Sequence, residues 1–190
     1  LGAPAMFALL AGPSDPRISK LALAVVLARA PALAWKAVVG TVVPAVATAL
    51  ATGRQHVPQA TARTVLTGAT VLAGLGALLA ATVGDPVLRL LTGNGDGDSL
   101  GAVPLALLAS GTVAHLGAVT ASAALAGSER GRAAAWAWAG GIGVAAAVLV
   151  LPGDPLFRVA VAVAAGTTTV LVTSVVALCA APRRAYGRLR

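Results

Sequence analysis

Aromatic residues make up only 3% of this 190-residue chain and charged residues 11%, with six acids, two histidines and one cysteine among them. Each shortage excludes something. Charged residues are about a quarter of an ordinary globular chain, so a soluble domain of this size would lack polar cover. The single cysteine, Cys179, cannot form an internal disulfide, and in its apolar run it reads as a small buried hydrophobe. No HExxH, GxSxG or Cys/His cluster occurs, and no acidic pair lies inside an apolar run, so neither an enzyme motif nor a metal or cofactor requirement is apparent. The formal net charge of +8 would suit nucleic acid, but the 14 Lys and Arg are scattered over short loops and one tail without interleaved aromatics. That pattern argues against nucleic acid as a partner.

What the chain has in abundance is Ala, Val and Leu, within a hydrophobic share of 58%. Runs long enough to cross a bilayer as helices occur at 18–51, 64–83, 100–126, 132–151 and 156–181. The expected fold is therefore all-α: a polytopic membrane helix bundle over 1–181 with five full spans, preceded by a partial helix at 1–12 and followed by a basic tail at 182–190. The run 18–51 is longer than one crossing needs, so it is expected to tilt, to bend at Pro31 or Pro44, or to project from the membrane. The first twelve residues of the chain, "LGAPAMFALLAG", lack the basic start and cleavage site of a signal peptide and read as a helix already under way. The chain is thus expected to be a piece of a longer protein.

The connectors carry turn chemistry: "GPSDPR", "TGRQHVPQ", "TGNGDGDS", "GSERGR" and "PGDP". Asp85 and Asp154 each sit in a Gly-Asp-Pro triplet, where the Asp is expected to cap a following helix with Pro in its first turn. Asp96 and Asp98 resemble the start of a calcium loop without its terminal Glu. Alternate loops differ in charge. Arg54, Arg63, Arg130, Arg132 and the tail arginines 183, 184, 188 and 190 share one side with a single acid, Glu129. Arg17, Lys20, Arg89 and Arg158 share the other with Asp15, Asp85, Asp96, Asp98 and Asp154. Cytoplasmic loops carry the basic excess, so the C-terminus is expected inside a plasma (inner) membrane. Trp136 and Trp138 then fall in an inner interfacial belt. Small residues are expected to make the helix contacts, with Ser110, Ala114, Ala118 and Ser122 at four-residue spacing and a smooth face from Gly140 to Val144.

Two cations, Arg29 and Lys36, stand deep inside the first long run, well past Lys20 at its start. Arg29 and Lys36 are seven residues apart, which places them about 20° apart around a helix and about 10 Å apart along it, with Gly40 continuing the face. Charge in the bilayer is costly and normally faces a bundle interior or a water-filled cavity, so the stripe suggests an anion site. The competing account has one of the pair snorkelling to the headgroups from near a helix end. Arg29 is the stronger ligand candidate because guanidinium matches phosphate bidentately. His115 lies sixteen residues into its span. It is either a proton or substrate contact or a histidine bonded to a neighbouring helix.

Three stretches carry a family resemblance: "LARAPALAWKAVVGTVVPAVATALATG" at 27–53, "VGDPVLRLLTG" at 83–93 and "AGSERGRAAAWAWAGG" at 126–141. In order and spacing, over about 18–181, they resemble the C-terminal half of the polysaccharide-biosynthesis flippases of the multidrug/oligosaccharidyl-lipid/polysaccharide exporter superfamily. Thr92 stands where the family often has Phe. The resemblance implies two pseudo-symmetric lobes around a cavity, with an N-terminal lobe as intramolecular partner, and export of a polyprenyl-pyrophosphate-linked sugar by alternating access. The sugar head would pass the cavity while the tail stays among membrane lipids. Arg29, Lys36, Gly40 and His115 would be the substrate-binding residues, and residues 1–190 alone would not transport. Two alternatives stay open: a drug/cation antiporter of the same superfamily, whose acids would have to lie elsewhere, and a membrane-embedded glycosyltransferase or scaffold using Asp85, Asp96 or Asp98.

Overall fold

A computed structural model describes residues 8, 10–12, 17–54, 56–92 and 99–180, without the side chains at 28–34, 36, 38, 58 and 92. Among them there is no strand. Five long helices follow one another: α1 (Arg17–Ala51), α2 (Val57–Thr92), α3 (Ala102–Gly127), α4 (Gly131–Leu149) and α5 (Pro155–Cys179). Short links make successive helices antiparallel, so α1, α3 and α5 begin at one end of the bundle and finish at the other. Four stretches are long and apolar enough to cross a membrane: Gln59–Leu91, Ala102–Gly127, Gly131–Leu149 and Pro155–Cys179. In α1 the described apolar stretch is Val39–Ala51. The chain is a membrane-embedded, all-α helix bundle.

Charge spacing shows how α2 fits a bilayer. Its 36 residues make a rod about 54 Å long, yet between Arg63 and Asp85 it carries no charge. That uncharged stretch rises about 31 Å, close to the roughly 30 Å hydrocarbon thickness. Leu72, Leu75, Leu78 and Leu79 are exposed along it. In water these would be a liability, whereas lipid covers them at no cost. The span expected at 64–83 is therefore the middle of a longer helix. Likewise α1 continues unbroken through Pro31 and Pro44 for 35 residues, about 52 Å, so it is longer than the bilayer with its headgroups.

α3 is the centre of the bundle, packed against α2, α5 and α1, while α4 leans mainly on α5. Lipid gives no hydrophobic drive for helices to associate, so close packing of small residues must supply it. Accordingly α3 buries Gly111, Ala114, Gly117, Ala118, Ala121 and Ala124. Ser110 and Ser122, expected in the same stripe, are half-buried at its flanks. A Cβ on Gly111 would stand 3.1 Å from the Ala164 backbone of α5. The Thr167 hydroxyl of α5 lies 3.0 Å from the Gly111 carbonyl oxygen across that contact. A Cβ on Gly127 would come within 2.7 Å of the Val43 carbonyl oxygen, so this glycine serves the α1–α3 contact. Glu129 instead takes the left-handed backbone, φ 59°, that turns the chain into α4.

Two arginines hold α4 and α5 together reciprocally. Arg130, before α4, donates to the Ala177 carbonyl near the end of α5. Arg158, in the first turn of α5, donates to the carbonyls of Leu149 at 3.2 Å and Leu151 at 2.7 Å, at the end of α4. The last carbonyls of a helix lack intrahelical partners and carry its negative partial charge, so each loop cation closes the neighbouring helix.

The two Gly-Asp-Pro triplets behave differently. Asp154 caps α5 as expected, accepting from the Phe157 N–H at 3.0 Å with Pro155 in the first turn, and it pairs with Arg17 at 3.2 Å. Asp85 caps nothing: α2 runs through Pro86, and Asp85 pairs with Arg89 one turn on, at 2.8 Å. Asp154→Ala should therefore cost about 1–2 kcal/mol, mostly the cap, because the ion pair is half exposed. Asp85→Ala should cost about 0.5 kcal/mol or less. Thermal unfolding of the purified protein in detergent checks the pair, and equal shifts would contradict this division.

Other expectations need correction. Cys179 is exposed at the end of α5, one residue and so about 100° around the helix from the buried Leu178. Of the two tryptophans placed in an interfacial belt, Trp136 is 77% exposed but Trp138 turns inward and donates to Ser122 Oγ of α3 at 3.1 Å. Two residues apart on a helix point about 200° apart, so one belt cannot hold both. Lys20, counted among loop cations, is 1% exposed. The connector expected between the spans 64–83 and 100–126 shortens because α2 extends to Thr92. Asp15, Asp96, Asp98 and the tail lie outside the described residues.

Candidate functional site

The expected binding stripe falls on α1, the helix pinned to α3 at two heights. Trp35 donates its indole N–H to the Thr120 hydroxyl at 2.9 Å, and Val43 meets Gly127 near the far end. Arg29 and Lys36 sit in continuous helix, so their positions share a face, but their side chains lie outside the described residues. Gly40, on the same face, is exposed, and a Cβ there would meet nothing within 4 Å. By helical register, positions 29, 36 and 40 are about 100–140° around α1 from Trp35 and about 20–60° from Val43, so they flank the α3 contact.

His115 stands elsewhere. It projects from the middle of α3, is exposed, and meets the Trp138 ring edge-on with centroids 5.6 Å apart and an interplanar angle of 73°. Ser122, seven residues on and on nearly the same face, accepts from the same Trp138. Thr120, which faces α1, is about 140° around α3 from His115. The structure therefore ties His115 to α4.

Sequence reasoning passed over Trp35 and Thr120. An indole N–H inside a membrane helix must find an acceptor, and that signal alone marks Trp35 as a contact to another helix.

Two recesses accompany these residues. One, of about 280 Å³, lies between α1 and α2 over α3, lined by Ala24, Leu27, Leu79, Val83, Leu105 and Leu108 among others. Its apolar walls offer water no partner, which suits a hydrocarbon chain. The other, of about 420 Å³, runs along the end of α1 past Thr48, Thr52 and Arg54. The Thr52 hydroxyl is already within 3.0 Å of the Thr48 and Ala49 carbonyl oxygens. Among the described residues no group of three or more His, Cys, Asp or Glu could hold a metal ion.

No protein-family model, curated protein or solved structure matches this chain. The class it belongs to is defined by its own geometry, a multi-helix membrane bundle.

Proposed function

We propose that this chain is one lobe of an alternating-access transporter that moves a polyprenyl-pyrophosphate-linked sugar across the plasma membrane, with the C-terminus cytoplasmic. The observation that carries the reading is the α1 stripe: two cations seven residues apart, with no acid in the same run, on a helix whose Gly40 position is uncovered. Fixed positive charge within the bilayer needs water or a counter-ion, and a pyrophosphate crossing beside α1 supplies one. The apolar crevice between α1 and α2 gives hydrocarbon a place beside the same helix. In this reading a second lobe closes the cavity over the open α1 face.

Complementation tests it. The complete gene that encodes this chain, expressed in a strain lacking its lipid-linked sugar flippase, should restore surface polysaccharide. Normal membrane levels of the protein with no restoration, and no flipping of a labelled polyprenyl-pyrophosphoryl sugar in proteoliposomes, would overturn it.

A further inference from the structure

Charge is handled differently at the two ends of the bundle. Where α1, α3 and α5 begin, each described acid has a cation: Arg17 pairs with Asp154 and Arg89 with Asp85. Arg158 is spent on helix carbonyls and Lys20 is buried. At the opposite end Arg130 likewise serves the Ala177 carbonyl. Arg54, Arg63 and Arg132, however, are exposed there and make no ion pair or side-chain hydrogen bond with any described residue. The acid at that end, Glu129, takes part in no ion pair among the described residues either.

Depth shows what surrounds these three guanidiniums. Arg63 closes the uncharged stretch of α2 that matches the hydrocarbon thickness, so it stands at the headgroup boundary. One turn beyond Arg132, Trp136 projects outward with 77% of its surface exposed, where an amphipathic ring prefers the interface. Arg54 follows the end of α1 by three residues. All three cations therefore lie in the headgroup layer, where the available anion is a phosphodiester, and the guanidinium fork fits phosphate oxygens bidentately.

We propose that Arg54, Arg63 and Arg132 form a binding surface for the headgroups of anionic phospholipids of the phosphatidylglycerol type. The opposite end, where both described acids are paired, has no such preference. This goes beyond the orienting effect of basic loops during insertion, which requires no lipid to stay bound afterwards.

Quenching of tryptophan fluorescence by brominated lipids tests it on the full chain reconstituted in phosphatidylcholine, because Trp136 reports from the right end. Brominated phosphatidylglycerol should quench more effectively than brominated phosphatidylcholine. The preference should fall about fivefold for each arginine changed to Gln at 54, 63 and 132, and it should weaken as salt rises. Arg89→Gln, at the matched end, should leave it unchanged. Equal quenching of the unmodified protein by both lipids at low salt would overturn the proposal without relying on any variant. So would a preference that inorganic phosphate abolishes when chloride at equal ionic strength does not, since the surface would then be a site for free phosphate.

Discussion

Gly141→Ala is expected to destabilise the bundle by about 2–3 kcal/mol, while Gly140→Ala, one residue earlier, is expected to be neutral or stabilising by up to about 1 kcal/mol. Both substitutions add one methyl to α4. At position 141 the methyl would collide with a Val170 methyl and lie 2.6 Å from the Gly166 carbonyl oxygen of α5. Val170 can turn, but a backbone carbonyl cannot, so α4 must move away. Gly166 returns the constraint, with its own Cβ position 2.9 Å from the Gly141 carbonyl oxygen and 3.0 Å from Ala145. At this glycine-to-glycine crossing α4 and α5 meet backbone to backbone. Moving the helices apart also strains the two arginine closures at their ends, Arg130 to Ala177 and Arg158 to Leu149. Gly140 and Gly143 have nothing within 4 Å, so there a methyl only improves helix propensity and meets lipid. Unfolding in a denaturing detergent, followed by tryptophan fluorescence, measures the difference. A Gly141→Ala midpoint equal to that of the unmodified protein would contradict the packing described.

The neighbouring glycines also show how far sequence reasoning reaches in a membrane chain. The all-α class and the number and order of long helices follow from run lengths and turn residues, because a bilayer admits few alternatives. Which face of each helix meets another does not follow. In water a helix advertises its buried side by an apolar stripe, but here both protein and lipid are apolar, so α3 carries no such contrast and "GG" at 140–141 does not say which glycine is the contact. Gly-Asp-Pro misleads for a related reason. The triplet marks a cap at 153–155, where the preceding link really breaks the chain. At 84–86 it lies on a helix held in place by α3, with Leu105 3.1 Å from the Cβ position of Gly84 and Leu88 buried. Tertiary packing there outweighs the missing proline donor. Lys20 differs from Arg17 in the same way, since three residues bring it onto nearly the same face one turn deeper, where it is buried. Of the proposed site, the cation stripe is legible as spacing alone. The contact of His115 with Trp138 is not, because that depends on which neighbour each face of α3 takes.

Arg29→Ala in the complete protein is expected to abolish complementation, and Arg29→Lys to retain part of it. Two cations about 10 Å apart along one helix face can each neutralise part of a pyrophosphate, so losing one leaves charge on the substrate uncompensated in a low-dielectric path. Truncating one partner of a buried, hydrogen-bonded charge pair costs about 2–5 kcal/mol, which is roughly thirtyfold or more in transport rate. Lysine restores the charge but not the bidentate fork, which is why partial rescue is expected. Lys36→Ala should be milder, since an ammonium acts as a point charge. The snorkelling account predicts otherwise: an arginine whose head sits among lipid phosphates on the surface can be removed with little effect on export. Membrane levels of each variant, measured beside export, separate lost transport from lost protein. Unchanged export by Arg29→Ala at normal levels would sink the assignment of Arg29 to the substrate path, and with it the physical reason for placing a cavity beside α1.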